Sequence, residues 1–269
     1  MRFGAFFLAL MAALIVAGAG RQARASTCVL VVEAASGKVL VREGDCETAQ
    51  SPCSTFKVPL ALMGFDAGVL EGPEAPTWSY QVGDLVNTPF DKLDTNPRGW
   101  LKNSVVWYSQ RLTMKLGTEA FGRYVRGFGY GNQDVSGNPG AGDGLTRSWL
   151  GSSLLVTPAQ QVEFLRALLA GTLPVKPRAT DQLRATMPTF EPSPGWQLFG
   201  KTGSCKRRGP KGYDGKLSVG WFVGWAKKGD RQLVFVYQLQ DETPSDQPGG
   251  PRAREALLKA WEGLVTAPR

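Results

Sequence analysis

Three runs near the C-terminal end decide the fold: WQLFGKT (residues 196–202), LSVGWFVGWAK (217–227) and QLVFVYQLQ (232–240). Each is apolar, aromatic and β-branched, and each is bounded by turn residues. That composition predicts three sequential antiparallel strands. Working outward, Arg252 to Val265 carries the apolar period of an amphipathic helix. At the other end of the chain, Val29–Glu33 and Val39–Arg42 surround Ala35-Ser36-Gly37-Lys38 and predict a hairpin. The middle reads as helices: Ser54 to Leu70, with Pro52 and Ser54 at its start, then Lys102 to Leu116 and Thr118 to Phe128. Thr157-Pro158 supplies an N-cap and a first-turn proline for a further helix to about Leu169. Glu71 to Pro97 reads as loop, and the glycine-rich span from Gly127 to Gly144 as a long ordered loop or a boundary.

The order is hairpin, helical middle, three strands and terminal helix. It predicts an α+β fold, with the first two and last three strands in one antiparallel sheet flanked by helices, plus an all-helical lobe. The expected domain is 26–269, with an α/β lobe of about 26–58 and 157–269 and a helical lobe of about 59–156. A site between two such lobes is a natural ligand cleft.

Residues 1–25 are read as a secretory signal peptide. Arg2 precedes the apolar run Phe6 to Val16, and Ala23-Arg24-Ala25 fits a small-residue cleavage site. The run is short for a bilayer span and no second one follows. The expectation is a secreted, periplasmic protein, free of the membrane once cleaved. Net charge is +8; the leader carries three arginines and no acid, so its loss leaves +5. A modest basic balance suits an anionic small substrate or plain solubility. No basic stripe with interleaved aromatics points to nucleic acid. The one basic cluster, Lys206, Arg207, Arg208 and Lys211, reads as a solvated loop.

Four cysteines in an exported chain suggest two disulfides, with three possible pairings. Cys28 and Cys46 flank the hairpin with Gly37 midway between them, which favours pairing them and leaves Cys53 and Cys205. The chain has no histidine. That excludes Ser-His-Asp and Cys-His triads and His-bearing zinc sites. A nucleophilic hydrolase built from this chain must use lysine, a carboxylate or tyrosine as its base.

Ser54-Thr55-Phe56-Lys57 is the only S-x-x-K in the chain. At a helix head, positions i and i+3 share a face, so hydroxyl and amine can meet. A serine needs an adjacent base to attack a carbonyl, and Lys57 is available. Such a lysine must lose about 3–4 pKa units to act near pH 7, which apolar burial can supply; Phe56, Val58 and Trp149 are candidates for the walls. Lys201-Thr202-Gly203 follows an aromatic strand, pairing a cation and a hydroxyl with a glycine that lets substrate approach. The same stretch formally matches a P-loop from Gly195 to Thr202. Bulky strand formers fill it, Glu191-Pro-Ser-Pro puts no strand directly before Gly195 and no helix follows Thr202, so that reading is rejected.

S-x-x-K with K-T-G is the shared signature of serine β-lactamases and penicillin-binding proteins. The chain resembles the class D, or oxacillinase-type, subset. That family's S-T-F-K, S-x-V, Y-G-N and K-T-G stand in order as Ser54–Lys57, Ser104-Val105-Val106, Tyr130-Gly131-Asn132 and Lys201–Gly203. Trp149 matches the family tryptophan after Y-G-N. Gly220-Trp-Phe-Val-Gly-Trp225 matches the strand after K-T-G, and Arg254 the C-terminal carboxylate-binding arginine, with Arg252 two residues away.

The resemblance implies hydrolysis of the amide bond of penicillin-type β-lactams through an acyl-enzyme on Ser54, and hence antibiotic resistance. It implies that Lys57 carries a CO2-derived carbamate as general base, with no other cofactor and no metal. Trp149 is expected to donate its indole N–H to the carbamate. Ser104 is expected to relay a proton to the leaving nitrogen, and Val106 to keep the lysine pocket apolar. The backbone N–H groups of Ser54 and Ser204 would form the oxyanion hole. Lys201, Thr202, Gly203 and Arg254 are expected around the substrate carboxylate, and Tyr130 and Asn132 among the pocket-forming residues. The partners implied are small β-lactams, bound by a monomer or homodimer.

Two rivals share the acyl-enzyme chemistry. A penicillin-binding transpeptidase usually has S-x-N where this chain has Ser104-Val-Val, and a β-lactam sensor belongs to a membrane receptor. Class D members often lack cysteines at positions 53 and 205. If the helix head packs against the K-T-G strand, those two residues bond and pin the site, and the loop Lys206–Lys211 borders its mouth and biases substrate choice.

Overall fold

The computed structural model describes residues 26–209 and 212–266; the expected signal peptide lies outside them. Strand β1 (Ser26–Glu33) turns through Gly37 (φ 72°) into β2 (Val39–Gly44). A short β3 (Thr189–Phe190) precedes β4 (Gln197–Gly209), β5 (Gly212–Lys228) and β6 (Arg231–Gln240). All six join one sheet in the order β2-β1-β6-β5-β4-β3, antiparallel at every pairing. The five strands expected from the sequence are present. The two-residue β3 is too short to show a period, and it pairs only with Leu198 and Phe199. β4 does not stop at Thr202 but runs through Lys201-Thr202-Gly203 into the basic cluster. Lys206, Arg207 and Arg208 therefore stand on a strand rather than in a loop.

Among the described residues, seven α-helices accompany the sheet: α1 (Lys57–Asp66), α2 (Pro97–Asn103), α3 (Val106–Gly127), α4 (Gly144–Arg147), α5 (Pro158–Ala170), α6 (Pro177–Thr186) and α7 (Gly249–Thr266). Helix α7 covers one face of the sheet. Ala253, Leu257 and Trp261 meet Leu198, Phe222 and Phe235, all fully buried. On the other face, α5 packs on β1 and β6. That core continues without a break through α1 into the aromatic cluster of Trp100, Tyr108, Phe121 and Trp149.

Local rules explain the boundaries. α5 starts with a capping box between Thr157 and Gln160 and ends at Gly171 in the left-handed conformation. Gly117 (φ 75°, ψ 162°) breaks α3 between the two helices expected on either side of it. The expected start at Lys102 is displaced. Asn96 accepts from Gly99 N and caps α2, and Ser104, left-handed at φ 63° and ψ 30°, ends α2 before Val106 restarts the chain as α3. The expected helix from Ser54 to Leu70 is shorter and begins differently: Cys53–Phe56 is a 3-10 turn and α1 follows from Lys57 to Asp66. Cys53, itself left-handed at φ 53°, starts that turn. Thr55 closes it by donating both N–H and hydroxyl to Pro52 O, at 3.1 and 2.6 Å. α6 escaped the periodicity because only Ala179 and Leu183 are apolar and buried on it.

Candidate active site

The 3-10 turn places Ser54 at the rim of a cavity of about 430 Å³ and aims Lys57 into the protein beneath it. Lys57 has no exposed surface, and its Nζ lies 3.2 Å from Ser54 Oγ. Burial is the main cause holding the Lys57 amine well below its ordinary pKa. The charge of Lys201 adds to that effect, and the carboxylate of Asp91 opposes it.

Across the cleft, β4 brings Thr202, Gly203 and Ser204 to the cavity, while the α2–α3 junction brings Asn103, Ser104 and Val106. Lys201 is buried, and its Nζ donates to Ser104 Oγ at 3.1 Å and to Thr202 O at 3.0 Å. Burial, with help from the charge of Arg254, pushes its pKa down to about 7. The left-handed backbone at Ser104 aims its hydroxyl at Lys201. A non-glycine residue held there costs roughly 1–3 kcal/mol, a strain typical of sites where function fixes the geometry.

The turn and β4 touch closely. A Cβ on Gly203 would stand 2.9 Å from Pro52 O and 3.0 Å from Thr55 Cγ2, so only glycine lets the strand lie against the nucleophile turn. The start of α7 reaches β5 in the same way: a Cβ on Gly220 would stand 2.2 Å from the Gly249 backbone. That contact sets Gly250 N 2.8 Å from Ser204 Oγ. Two disulfides join Cys28 to Cys46 and Cys53 to Cys205, with Cα separations of 5.0 and 5.8 Å. The second ties the residue before Ser54 to the residue after Ser204.

Trp149 stacks on Phe56 at 5.4 Å and anchors the turn through its carbonyl, which accepts from Cys53 N and Ser51 Oγ. Its indole Nε1–H is buried and has no acceptor among the described residues. Tyr130, Asn132 and Arg254 are not on the cavity surface. Tyr130 is buried and donates to Gln161 Oε1, whose amide donates in turn to Thr55 Oγ1. Asn132 ties its loop to Ser153 O and Leu155 N. Arg254 lies over the Phe190 ring, 5.7 Å from its centroid, and its neighbour Arg252 holds Asp241 in a bidentate pair.

Sequence reasoning missed one wall. Leu85, Asn87, Thr88 and Asp91 line the cavity from a segment that composition marks only as loop. The segment is fixed by a capping box between Thr88 and Asp91, by Trp107 Nε1 donating to Asp91 O, and by the Trp78–Tyr108 stack. The T-x-x-D spacing at 88–91 was the available signal. Arg147, Leu150, Pro248 and Pro251 complete the lining. Among the described residues, no cluster of Cys, Asp or Glu stands ready to hold a metal ion, and no helix is long and apolar enough to cross a membrane.

Residues 27–261 match the family model described as the penicillin binding protein transpeptidase domain. The chain is 44% identical over 234 residues to Beta-lactamase OXA-9 of Klebsiella pneumoniae, spanning 86% of this chain and 85% of that one. It is 32% identical over 238 residues to Beta-lactamase OXA-1 of Escherichia coli, spanning 86% and 82%. Among solved structures it is similar to the OXA-427 class D β-lactamase, with a TM-score of 0.84 and 41% identity over 89% of this chain and 98% of that one.

Proposed function

The chain belongs to the class D, oxacillinase-type family of serine β-lactamases, and from that footing we propose that it opens penicillin-type rings through an acyl-enzyme on Ser54 with Lys57 as the base. The observation that carries this reading is the 3.2 Å contact between Ser54 Oγ and a fully buried Lys57.

The residues around Lys57 suit a carbamate. A buried amine with a lowered pKa is the nucleophile that carbon dioxide needs. The unpartnered N–H of Trp149, on the ring stacked against Phe56, supplies a donor where a buried anion requires one. When formed, the carbamate provides an oxygen base that is ionised at neutral pH.

The proton of Ser54 leaves toward Lys57 as Oγ attacks the lactam carbonyl carbon. The developing oxyanion accepts from the N–H groups of Ser54 and Ser204. The C–N bond then breaks, and Ser104 hands its proton to the leaving nitrogen. Lys201, hydrogen-bonded to Ser104 and with a pKa near 7, can replace that proton. Thr202 and the charge of Lys201 hold the substrate carboxylate, with Arg254 adding field from behind. The proton that Lys57 took from Ser54 then passes back to refill Lys201, which leaves Lys57 free to take a proton from water; the water oxygen attacks the ester carbonyl, the bond to Ser54 Oγ breaks, and the proton returns from Lys57 to Oγ. Product release completes the resistance chemistry expected of a secreted, periplasmic enzyme.

Nitrocefin turnover tests the reading. The proposal requires many equivalents hydrolysed per enzyme. A transpeptidase or a β-lactam sensor would stop after a burst near one equivalent, with Ser54 still acylated in intact mass.

A further inference from the structure

A second cavity, of about 620 Å³, opens beside the first. The two share Asn87, Arg147, Leu150, Ser204 and Pro248, so they form one continuous groove. Thr202, Gly203 and Ser204 line the first part, and Ser204, Cys205 and Lys206 the second. The groove therefore follows β4, on the side where no strand pairs beyond Phe199 among the described residues.

The second cavity carries two cations, Arg147 and Lys206, and no acid. Both are exposed. The Asp143 carboxylate feels the charge of Arg147, but both of its oxygens already accept from Asn138. The cations sit on anchored walls. Lys206 pairs with Ser218 in the β4–β5 ladder, and Tyr213 closes the far side by donating to Ser152 O at 2.8 Å.

We propose that this basic extension is a subsite for the acyl side chain of the substrate and that it selects side chains bearing a second negative charge, a carboxylate or sulfonate. This inference rests on the β-lactamase reading. With the ring carboxylate held at Lys201 and Thr202 and the reacting carbonyl at Ser204, the rest of the molecule has to continue along β4. Two residues of strand advance about 7 Å, which is the step from Ser204 to Lys206 and the reach of a penicillin side chain. Opposite charges in a partly enclosed groove gain more than they would on open surface, and the gain falls with salt.

The test compares benzylpenicillin with its α-carboxy analogue on the full mature enzyme, on Arg147→Gln, on Lys206→Gln and on the double variant. The expected result is a selective loss: kcat/KM for the dianionic penicillin falls about ten-fold in the double variant, through KM, and falls much less for benzylpenicillin. The preference of the wild type should also shrink as ionic strength rises. An equal fall for both substrates, or no fall for either, overturns the subsite while leaving β-lactam turnover standing. No turnover of either penicillin by the wild type overturns the hydrolase reading itself.

Discussion

Lys57 Nζ stands 3.2 Å from Ser54 Oγ on a side chain with no exposed surface, beneath a turn that a disulfide bonds to the opposing strand. Proximity and burial are coupled. The burial that lowers the proton affinity of the amine also shields the base from bulk water.

The pH dependence follows from the direction of the Lys57 shift. Carbon dioxide adds to the neutral amine, so the carbamate is lost as pH falls through the lowered pKa of Lys57. Activity should decline on that acidic limb in CO2-depleted buffer and return on addition of bicarbonate, with little bicarbonate effect at higher pH. Lys57→Ala should acylate slowly and fail to deacylate, showing a burst near one equivalent and a kcat lowered by about 10³-fold or more. Steady turnover by Lys57→Ala would remove lysine from the mechanism.

Trp149→Phe separates stacking from hydrogen bonding. The phenyl ring keeps the contact with Phe56, and the N–H it deletes has no acceptor among the described residues. In CO2-depleted buffer, where no carbamate takes up that N–H, removing an unsatisfied buried donor costs the fold little, because relief of about 1–3 kcal/mol offsets lost packing. The expected outcome is a Tm within a few degrees of wild type, a lower kcat, and a higher bicarbonate concentration for half-maximal rate. A variant with unchanged bicarbonate dependence would place the indole outside the base site.

The sheet was legible because Leu198, Phe222, Val234 and Phe235 stand in continuous apolar, aromatic and β-branched runs bounded by turn residues, and both faces of those strands are buried, Val234 on one side and Phe235 on the other. Ser54, Lys57, Ser104 and Lys201 were legible because their spacing forms motifs, and the structure brings the four together in two hydrogen-bonded pairs. What composition hid were features set by long-range packing. The wall from Leu85 to Asp91 is held by Trp107, which donates to Asp91 O from α3. The 3-10 turn at Ser54 is bonded to Cys205, 152 residues beyond Cys53. Tyr130 and Asn132 carry a sequence signature, yet in the structure they tie the loop behind the cavity.

The Cys53–Cys205 bridge closes a loop of 152 residues, for which the chain-entropy account gives about 5 kcal/mol of stabilisation, against about 3 for Cys28–Cys46. Cys53 also holds a left-handed backbone conformation immediately before the nucleophile. The Cys53→Ser/Cys205→Ser double variant should therefore lower Tm by several degrees and lower kcat more than the corresponding pair at Cys28 and Cys46 does. Denatured wild type should yield no free thiol. If loss of the Cys53 bridge changed Tm but left kcat untouched, its part in setting Ser54 would be purely structural.

Lys201→Met tests whether the charge that serves the site burdens the fold. The unfolded lysine has its ordinary pKa of 10.5, and the folded one about 7. Between those values the unfolded chain binds a proton that the folded chain does not, so wild-type stability rises with pH across that window. The penalty is complete at pH 7 and below and is gone above 10.5. Its upper bound is about 5 kcal/mol, reduced by the bonds to Ser104 and Thr202 that the variant gives up. The variant should lose activity and gain Tm by about 3 °C or more at pH 7, and the gain should shrink toward zero by pH 10. Because the charge of Lys201 helps to lower the pKa of Lys57, its removal should also move any residual bicarbonate-dependent activity to higher pH. A variant less stable than wild type at pH 7 would show that the hydrogen bonds outweigh the buried charge.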